Sequence, residues 1–156
     1  MDNYVYHLDY PFDKIKLISE INSQELTKFS ELNPNWLRTS NTGFYGLWLF
    51  NHFQQFGDGK ILTGYYKQPA GTVVNEHKDT KCKCRINIKL TDDNSILTMD
   101  GQEISYDTAL LNVNKYAHSV NKADKDRIIF SIIYVDDNFN DVKDKIHASK
   151  NWLFFW

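Results

Sequence analysis

Residues 59–79 of the chain read GKILTGYYKQPAGTVVNEHKD. The apolar and aromatic residues before Pro69 predict a strand, and Pro69-Ala70-Gly71 predicts the turn that ends it. Thr72 to Glu76 predict a second strand, which leads directly to His77 and Asp79. Residues two apart on an extended chain point to the same side, roughly 6.6 Å apart at about 3.3 Å per residue. The two side chains can therefore converge on one metal ion after slight bending of the chain.

A third metal ligand is predicted downstream of this pair. Leu110 to Asn114 are typical of a strand, and the segment Tyr116 to Val120 that follows contains His118. Antiparallel pairing would place this imidazole opposite His77 and Asp79. Fe(II) in non-haem oxygenases is held by two imidazoles and one carboxylate on one face of an octahedron, with positions left open for substrate and O₂. These residue types, in this order, indicate an oxygenase iron site.

The next strand begins with a charged residue. Residues 127–134 read RIIFSIIY, and their β-branched and aromatic side chains predict a core strand. Arg127 and Ser131 fall on the same face of that strand, so both can reach one cavity. A planar guanidinium in an apolar pocket suits a carboxylate held by two parallel hydrogen bonds. The alternative is that Arg127 pairs with an acid at the strand end, where Asp124 and Asp126 are candidates.

His77-x-Asp79, the distal His118 and the following Arg127 together resemble the pattern of the Fe(II)/2-oxoglutarate-dependent dioxygenases. The resemblance covers roughly residues 59–135. Within that superfamily the chain is most similar to the small prolyl-hydroxylase-like and aspartyl/asparaginyl-hydroxylase-like members. The resemblance implies a mainly β fold with an N-terminal helix, built as a double-stranded β-helix, which is the jelly-roll barrel of the cupins.

The resemblance also implies the chemistry. His77, Asp79 and His118 would bind Fe(II), 2-oxoglutarate would chelate the iron through its 2-oxo acid end, and Arg127 would bind its distal carboxylate. With O₂ as co-substrate, such enzymes release succinate and CO₂ and usually hydroxylate a C–H bond. Halogenating relatives replace the carboxylate ligand by a small residue, so the intact Asp79 favours hydroxylation.

Further co-substrate ligands are implied on neighbouring strands. Arg85 and Asn87 would share one face of the strand after the metal pair and reach the 2-oxoglutarate carboxylates, while the apolar residues between them face the other way. Some members carry a serine two residues after the arginine. Here that position is Ile129, and Ser131 is the candidate in its place. Tyr66 is a further candidate for co-substrate binding.

The primary substrate is expected to be a peptidyl side chain, a free amino acid or another small molecule. The prolyl- and asparaginyl-type resemblance favours the peptidyl side chain. The alternative from another class is a non-catalytic, cupin-like metal-binding β-barrel or an interaction module. Arg127 distinguishes the two hypotheses, because a simple binding barrel has no need of it.

Other potential ligands have ordinary structural interpretations. His7-Leu8-Asp9 repeats the His-x-Asp pattern without a preceding strand and turn, so we interpret it as a surface pair. Cys82 and Cys84 open the alternative of a zinc site, although structural zinc sites use a wider cysteine spacing and a second ligand pair. Two reduced core thiols in a reducing compartment are the other interpretation. His52 is expected to be packed among aromatic residues, and no basic residue follows His147 at the required distance.

Length and charge limit the remaining function classes. The length of 156 residues predicts one domain, residues 1–156, and the resemblance implies that it is dioxygenase-like with its core at 59–135. The formal net charge of −2 with interspersed signs gives no strong nucleic-acid signal. No segment approaches the length of a membrane span and the start lacks a leader pattern, so a cytoplasmic location is expected.

The N-terminal third is predicted to support the barrel. Residues 1–9 are expected to add an edge strand, and Pro11-Phe12-Asp13 to open a helix. Residues 25–32 are expected to extend or repeat that helix. Trp36 and Trp48 line the pocket mouth or pack under the sheet. The predicted buried helix face consists of Ile15, Leu17, Ile18 and Ile21.

The remaining segments predict a second sheet and a closing helix. Asp92-Asp93-Asn94 and Asp100-Gly101-Gln102 predict hairpin turns, with short strands at 95–99 and 103–106. A helix is expected to end near Lys150. The apolar tail Trp152 to Trp156 is expected to dock on its own barrel or to form a homodimer contact.

Overall fold

The computed structural model describes residues 4–22, 26–28 and 36–150. Two antiparallel sheets and a few helices account for the regular structure in these ranges. The strands are β1 (Val5–His7), β2 (Thr27–Lys28), β3 (Leu37–Thr39), β4 (Ile61–Gln68), β5 (Val74–His77), β6 (Cys84–Lys89), β7 (Leu97–Met99), β8 (Gln102–Ile104), β9 (Thr108–Leu111), β10 (His118–Val120) and β11 (Arg127–Tyr134). The helices are α1 (Lys14–Ile21), α2 (Phe44–Phe53), a short 3-10 helix (Gln54–Phe56) and α3 (Phe139–Ser149).

The strands are arranged in one larger and one smaller sheet. The order is β1-β9-β6-β11-β4-β3-β2 in the seven-stranded sheet and β5-β10-β7-β8 in the four-stranded sheet. Neighbours in both sheets run antiparallel, and most are not consecutive in the chain. The predicted mainly β, jelly-roll architecture is confirmed.

β11 is the centre of the larger sheet. It pairs with β4 from Arg127 opposite Gln68 to Tyr134 opposite Ile61, and with β6 along its other edge. Both bounds of the predicted strand are confirmed, because six of its eight residues are Ile, Phe or Tyr, which favour strands, and charged loops lie on either side. The side chain of Arg127 thereby starts at a fixed position on a central strand.

The larger sheet separates two apolar cores. Alternate residues of β11, Phe130 among them, pack with β6 residues such as Ile86 and with the buried faces of the three α-helices. The intervening residues, such as Ile129, pack between the two sheets. Arg85 and Asn87 lie on one face of the sheet and the apolar residues between and beside them lie on the other, as their alternation predicts. The functional side chains therefore reach the space between the sheets.

α1 and the turn of the smaller sheet follow local rules. Asp13 caps α1, because its side chain accepts from the Lys16 backbone N–H at 3.1 Å. The hairpin between β7 and β8 turns at Asp100 and Gly101, which both have positive φ, as a two-residue I′ turn requires. β1 forms the predicted edge strand beside β9. These elements confirm the expectations from sequence.

Two expectations for the N-terminal third are wrong. Ile15 is 81% exposed, because Leu17 and Ile21, one helical turn apart, define the buried stripe of α1. The helix expected over residues 25–32 is replaced at Thr27–Lys28 by β2, which pairs with β3. Pairing satisfies the backbone groups on the open edge of β3, an interaction that local sequence does not reveal. Residues 25 and 29–32 lie outside the described residues, as do residues 152–156, and Leu26 is in neither a helix nor a strand.

α2 is an element that we did not predict from sequence. Its residues are apolar on most sides and leave no polar stripe to mark a helical period. Trp48 is half-exposed on this helix and stacks on His52, so neither predicted position for Trp48 is correct. Within the described ranges, no helix has both the length and the apolar character needed to cross a membrane.

Candidate metal centre

Two strands of the smaller sheet bring the predicted metal ligands together. His77 is the last residue of β5, Asp79 follows it in the loop, and His118 is the first residue of β10. The backbones of His77 and His118 lie directly opposite each other in the antiparallel pair. One ligand atom from each of the three residues lies within 4.8 Å of the other two. This spacing suits three donors on one face of a metal ion.

A β-bulge in β5 sets the direction of His77. His118 pairs with His77 and Val120 pairs with Val74, so three residue steps on β5 oppose two on β10. The extra residue changes the alternation, and Val74 and His77 both line the cavity between the sheets. Bulges beside active sites re-aim side chains in this way. Simple alternation from sequence did not reveal it.

The backbone fixes the orientation of both imidazoles. Nδ1 of His77 lies 2.6 Å from the Asn75 carbonyl oxygen, and Nδ1 of His118 lies 3.1 Å from the Tyr116 carbonyl oxygen. Since a carbonyl only accepts, each Nδ1 donates, and a neutral ring then carries its lone pair on Nε2. The two Nε2 atoms lie 3.2 and 3.3 Å from Oδ1 of Asp79.

Lone pairs on two nitrogens and a carboxylate oxygen therefore face one another. Such an arrangement needs a cation at its centre, either a proton or a metal ion. Metal-binding histidines commonly donate their second ring N–H to a carbonyl or carboxylate. The donor set and its supporting contacts thus fit a divalent metal such as Fe(II).

Arg85 holds the other oxygen of the ligand carboxylate. Its Nη1 lies 3.2 Å from Oδ2 of Asp79. Burial opposes ionisation of Asp79, but hydrogen bonds with His118 and His77 and the charge of Arg85 hold its pKa well below the usual range. The hydrogen bond with Asp79 raises the pKa of His77. The protein thus presents an ionised carboxylate with Oδ1 directed to the centre.

The neighbouring cysteines do not form a zinc site with these residues. The only described cluster of three metal-binding side chains contains no cysteine. Cys82 points its thiol at Oδ2 of Asp79 at 3.7 Å, and burial raises the pKa of this thiol to about 12. The Cys84 thiol lies on the other face of the sheet, against the Asp137 carbonyl. Both are free, buried thiols, in line with the second interpretation from sequence.

The other histidines lie away from the centre. His7 is exposed on β1, opposite Ala109, and belongs to no described metal-binding cluster. His52 packs among aromatic rings, and burial lowers its pKa. His147 is exposed on α3, where Nδ1 lies 3.3 Å from the hydroxyl of Tyr6.

A cavity that is partly open to solvent extends from the metal centre between the sheets. Its polar lining consists of the three ligands with Arg85, Asn87 and Arg127. Its apolar lining consists of Trp36, Val74, Leu97, Leu111, Val113, Val120 and Ile129. Metal ligands and a guanidinium therefore share one mostly apolar space.

Arg127 is only 3% exposed, yet its guanidinium is not fully satisfied. Nη2 donates to the Tyr106 hydroxyl at 2.8 Å, and the Trp36 ring lies 5.6 Å from the guanidinium carbon. Nη1 is buried without a hydrogen-bond partner among the described residues. Neither Asp124 nor Asp126 is its partner: Asp126 pairs with Lys67, and Asp124 accepts from the Asn94 backbone. The alternative of an ion pair at the strand end is therefore excluded for these two acids.

The remaining candidates lie around this framework. Asn87 lines the cavity and its Oδ1 accepts from the buried Ser131 hydroxyl at 2.7 Å. The Tyr66 ring lies 4.6 Å from the guanidinium carbon of Arg85 and stacks on Trp36. Ser131 and Tyr66 are not among the residues that line the cavity. Both therefore stand one layer behind the lining, where they support Asn87 and Arg85.

Two residues of the site carried little sequence signal. Tyr106 follows β8 and contacts both Arg127 and Asn87, although nothing in its local sequence marks it. Trp36 lines the cavity and is also buried in the core against Tyr66, which combines its two predicted positions. The only signal for Trp36 was its aromatic character beside a turn-forming loop.

Comparison with known proteins supports the fold. No family model matches the chain, and no curated protein sequence matches it. The structure is similar to a prolyl-4-hydroxylase from Pseudomonas putida, with a TM-score of 0.66 and 14% identity over 85% of this chain and 91% of that one. It is also similar to the cupin domain of Cnp3 from Schizosaccharomyces pombe, with a TM-score of 0.51 and 11% identity over 74% and 72% of the two chains. At these identities the likeness shows a cupin-type jelly roll and no particular activity.

Proposed function

We propose that this protein is an Fe(II)- and 2-oxoglutarate-dependent dioxygenase that hydroxylates a peptidyl or free amino-acid side chain. The observation that carries the proposal is Nη1 of Arg127, which has no hydrogen-bond partner among the described residues and lies in the cavity that also holds the metal centre. A buried charged donor without a partner is costly, because it has lost its hydration. A carboxylate bound in the cavity would supply the missing acceptor.

The metal ligands have separate tasks in this proposal. His77 and His118 direct neutral Nε2 donors to the centre, and the carbonyls behind their Nδ1 atoms keep that orientation. Asp79 offers Oδ1, since Arg85 occupies Oδ2. Three protein donors leave the remaining positions of an octahedral ion open for co-substrates.

The walls of the cavity would bind the carboxylate of the co-substrate and exclude water. Arg127 would donate to the distal carboxylate of 2-oxoglutarate, with Tyr106 holding Nη2 and Trp36 covering the guanidinium. Apolar side chains such as Leu111 keep water away from the open positions. When bound, iron, 2-oxoglutarate and O₂ would supply the oxidation. 2-Oxoglutarate is converted to succinate, which takes up one atom of O₂, and CO₂, and the other oxygen atom is inserted into a C–H bond of the substrate.

Anaerobic addition of Fe(II), with and without 2-oxoglutarate, tests the proposal. We expect a weak visible charge-transfer band only when both are present, since that band requires bidentate chelation of the iron. His77→Ala should abolish it, and His7→Ala is the matched control. Iron binding without the band would contradict the proposal and favour the metal-binding barrel without turnover.

A further inference from the structure

Four exposed lysines lie beside the metal centre. Lys78, Lys81 and Lys83 are in the loop that follows β5, and Lys115 is in the segment that precedes β10. We refer to these four residues as the lysine rim. His77 is the most exposed of the three metal ligands, at 25% of its side chain against 11% for Asp79 and 10% for His118. The lysine rim therefore begins directly after the metal ligand that is most exposed to solvent.

Hydrogen bonds join the two segments that carry the rim. The Asp79 backbone N–H donates to the Val113 carbonyl at 2.9 Å, and the Asn114 backbone N–H donates to the Lys83 carbonyl at 3.4 Å. The Asn114 side chain also donates to the Asp79 carbonyl at 2.8 Å. The backbone positions of the rim are thus fixed relative to a metal ligand.

The charges of the rim are not neutralised within the described part of the chain. None of its four lysines forms an ion pair there, whereas Lys67, Lys89 and Lys145 each pair with an aspartate. The Nζ of Lys115 lies 5.5 Å from the centre of the Tyr116 ring. In a chain of net charge −2, four lysines on two joined segments that have no ion-pair partner among the described residues are a local excess of positive charge.

The interior of the site, like the lysine rim, has more positive than negative side chains. Arg85 is 8% exposed, and its Nε and Nη2 atoms are buried without partners among the described residues. Two arginines and one carboxylate line the cavity, before any metal charge is added. Positive side chains therefore lie both at the surface beside the centre and inside the cavity, and both attract an anionic group.

We propose that the lysine rim binds an acidic segment of a peptide or protein substrate. This inference rests on the proposed function, because it places the recognised carboxylates beside the residue to be oxidised. Nucleic acid is disfavoured, since the chain as a whole has no basic field of the kind that attracts a phosphate backbone. Complementary charge at a rim acts mainly on association rate and specificity.

Fluorescence anisotropy with labelled probes tests this inference on the 156-residue chain. The probes are short peptides that alternate glycine with glutamate, glutamine or lysine, and a single-stranded oligothymidine. The rim variant is Lys81→Glu/Lys83→Glu. The matched control is Lys60→Glu/Lys125→Glu, which changes the net charge equally at exposed lysines outside the rim.

We expect the glutamate peptide to bind more tightly than the other probes at low salt, and we expect its affinity to fall when the salt concentration is raised to about 0.15 M. The rim variant should weaken this binding about tenfold, and the control should change it far less. Equal binding of the glutamate and glutamine peptides, equal effects of both variants, or tighter binding of oligothymidine would each overturn the inference. The charge-transfer band is measured in every variant. An intact band without glutamate selectivity refutes the rim alone, and glutamate selectivity without a band refutes the proposed function alone.

Discussion

Nη1 of Arg85 lies 3.2 Å from Oδ2 of Asp79, and both side chains are about nine-tenths buried. The pair divides the carboxylate between two tasks. One oxygen is neutralised by the protein, and the other faces His77 and His118. The charge needed to receive a cation is thus held in place by an arginine on the adjacent larger sheet.

Loss of this arginine should destabilise the metal-free protein. We expect Arg85→Met to lower the free energy of unfolding by about 3 kcal/mol, because it leaves the Asp79 carboxylate buried without its cation. The measurement is urea denaturation in the presence of a chelator. In an Asp79→Asn background the same substitution should cost clearly less. Strictly additive effects of the two substitutions would show that the ion pair does not couple these residues.

The two His-x-Asp pairs of the chain should differ in metal binding. His77→Ala removes an Nε2 donor, so Fe(II) affinity should fall by more than the roughly 10- to 100-fold that loss of a supporting contact costs. His7→Ala removes an exposed ring on β1 and should leave the affinity unchanged. Anaerobic titration with Fe(II) measures both. A loss of affinity in His7→Ala would reverse the assignment.

Arg127 should determine affinity for 2-oxoglutarate. Arg127→Met should raise the dissociation constant about 30-fold or more, because a buried charge partner typically contributes at least about 2 kcal/mol. Tyr106→Phe removes the acceptor of Nη2 and should give a smaller, several-fold effect. Titration of the charge-transfer band gives both constants. An unchanged constant in Arg127→Met would remove its anchoring role.

The metal-free protein should become less stable as pH rises through neutrality. The hydrogen bond with Asp79 raises the pKa of His77, so the ring binds its proton more tightly in the folded state than in the unfolded state. This contribution is complete below the unfolded pKa of about 6.5 and is lost as pH rises through the folded value. Denaturation at about pH 6 and about pH 9 measures it, and His77→Gln should show a smaller difference. With Fe(II) the trend should reverse, because the metal binds the neutral ring.

The contribution of Asp79 to stability depends on pH in the opposite direction to that of His77. The pKa of Asp79 is depressed, so its contribution to stability is present above the unfolded value of about 3.9 and is lost on acidification. We expect Asp79→Asn to reduce the pH dependence of unfolding below about pH 4. An unchanged dependence in this variant would assign the acid transition to other carboxylates.

The sequence predicted those features that depend on a single segment. Six of the eight residues at 127–134 are strand-forming, and the pattern His77-x-Asp79 after a turn marks one ligand pair. The spacing to His118 and Arg127 then added the distal positions. These are local patterns, and the structure brings the three ligands and the arginine to one cavity.

Features that depend on two distant segments were not predictable in the same way. The bulge that turns His77 inward arises only when β5 pairs with β10. The contact of Tyr106 with Arg127 joins residues 21 apart. β2 replaces the expected helix because a partner edge on β3 is available. In each case tertiary pairing determined the outcome, and no single segment contains that information.

The smaller sheet is made of strands of only three or four residues. Short strands resist local opening poorly, yet two of them, β5 and β10, carry all three ligands or lead directly to them. An ion that binds only the closed sheet stabilises it by about 2.7 kcal/mol when its free concentration is about 100 times its dissociation constant. Amide hydrogen exchange in this sheet should therefore report whether the centre holds its metal ion, and metal-free molecules should be the ones that proteases cut first.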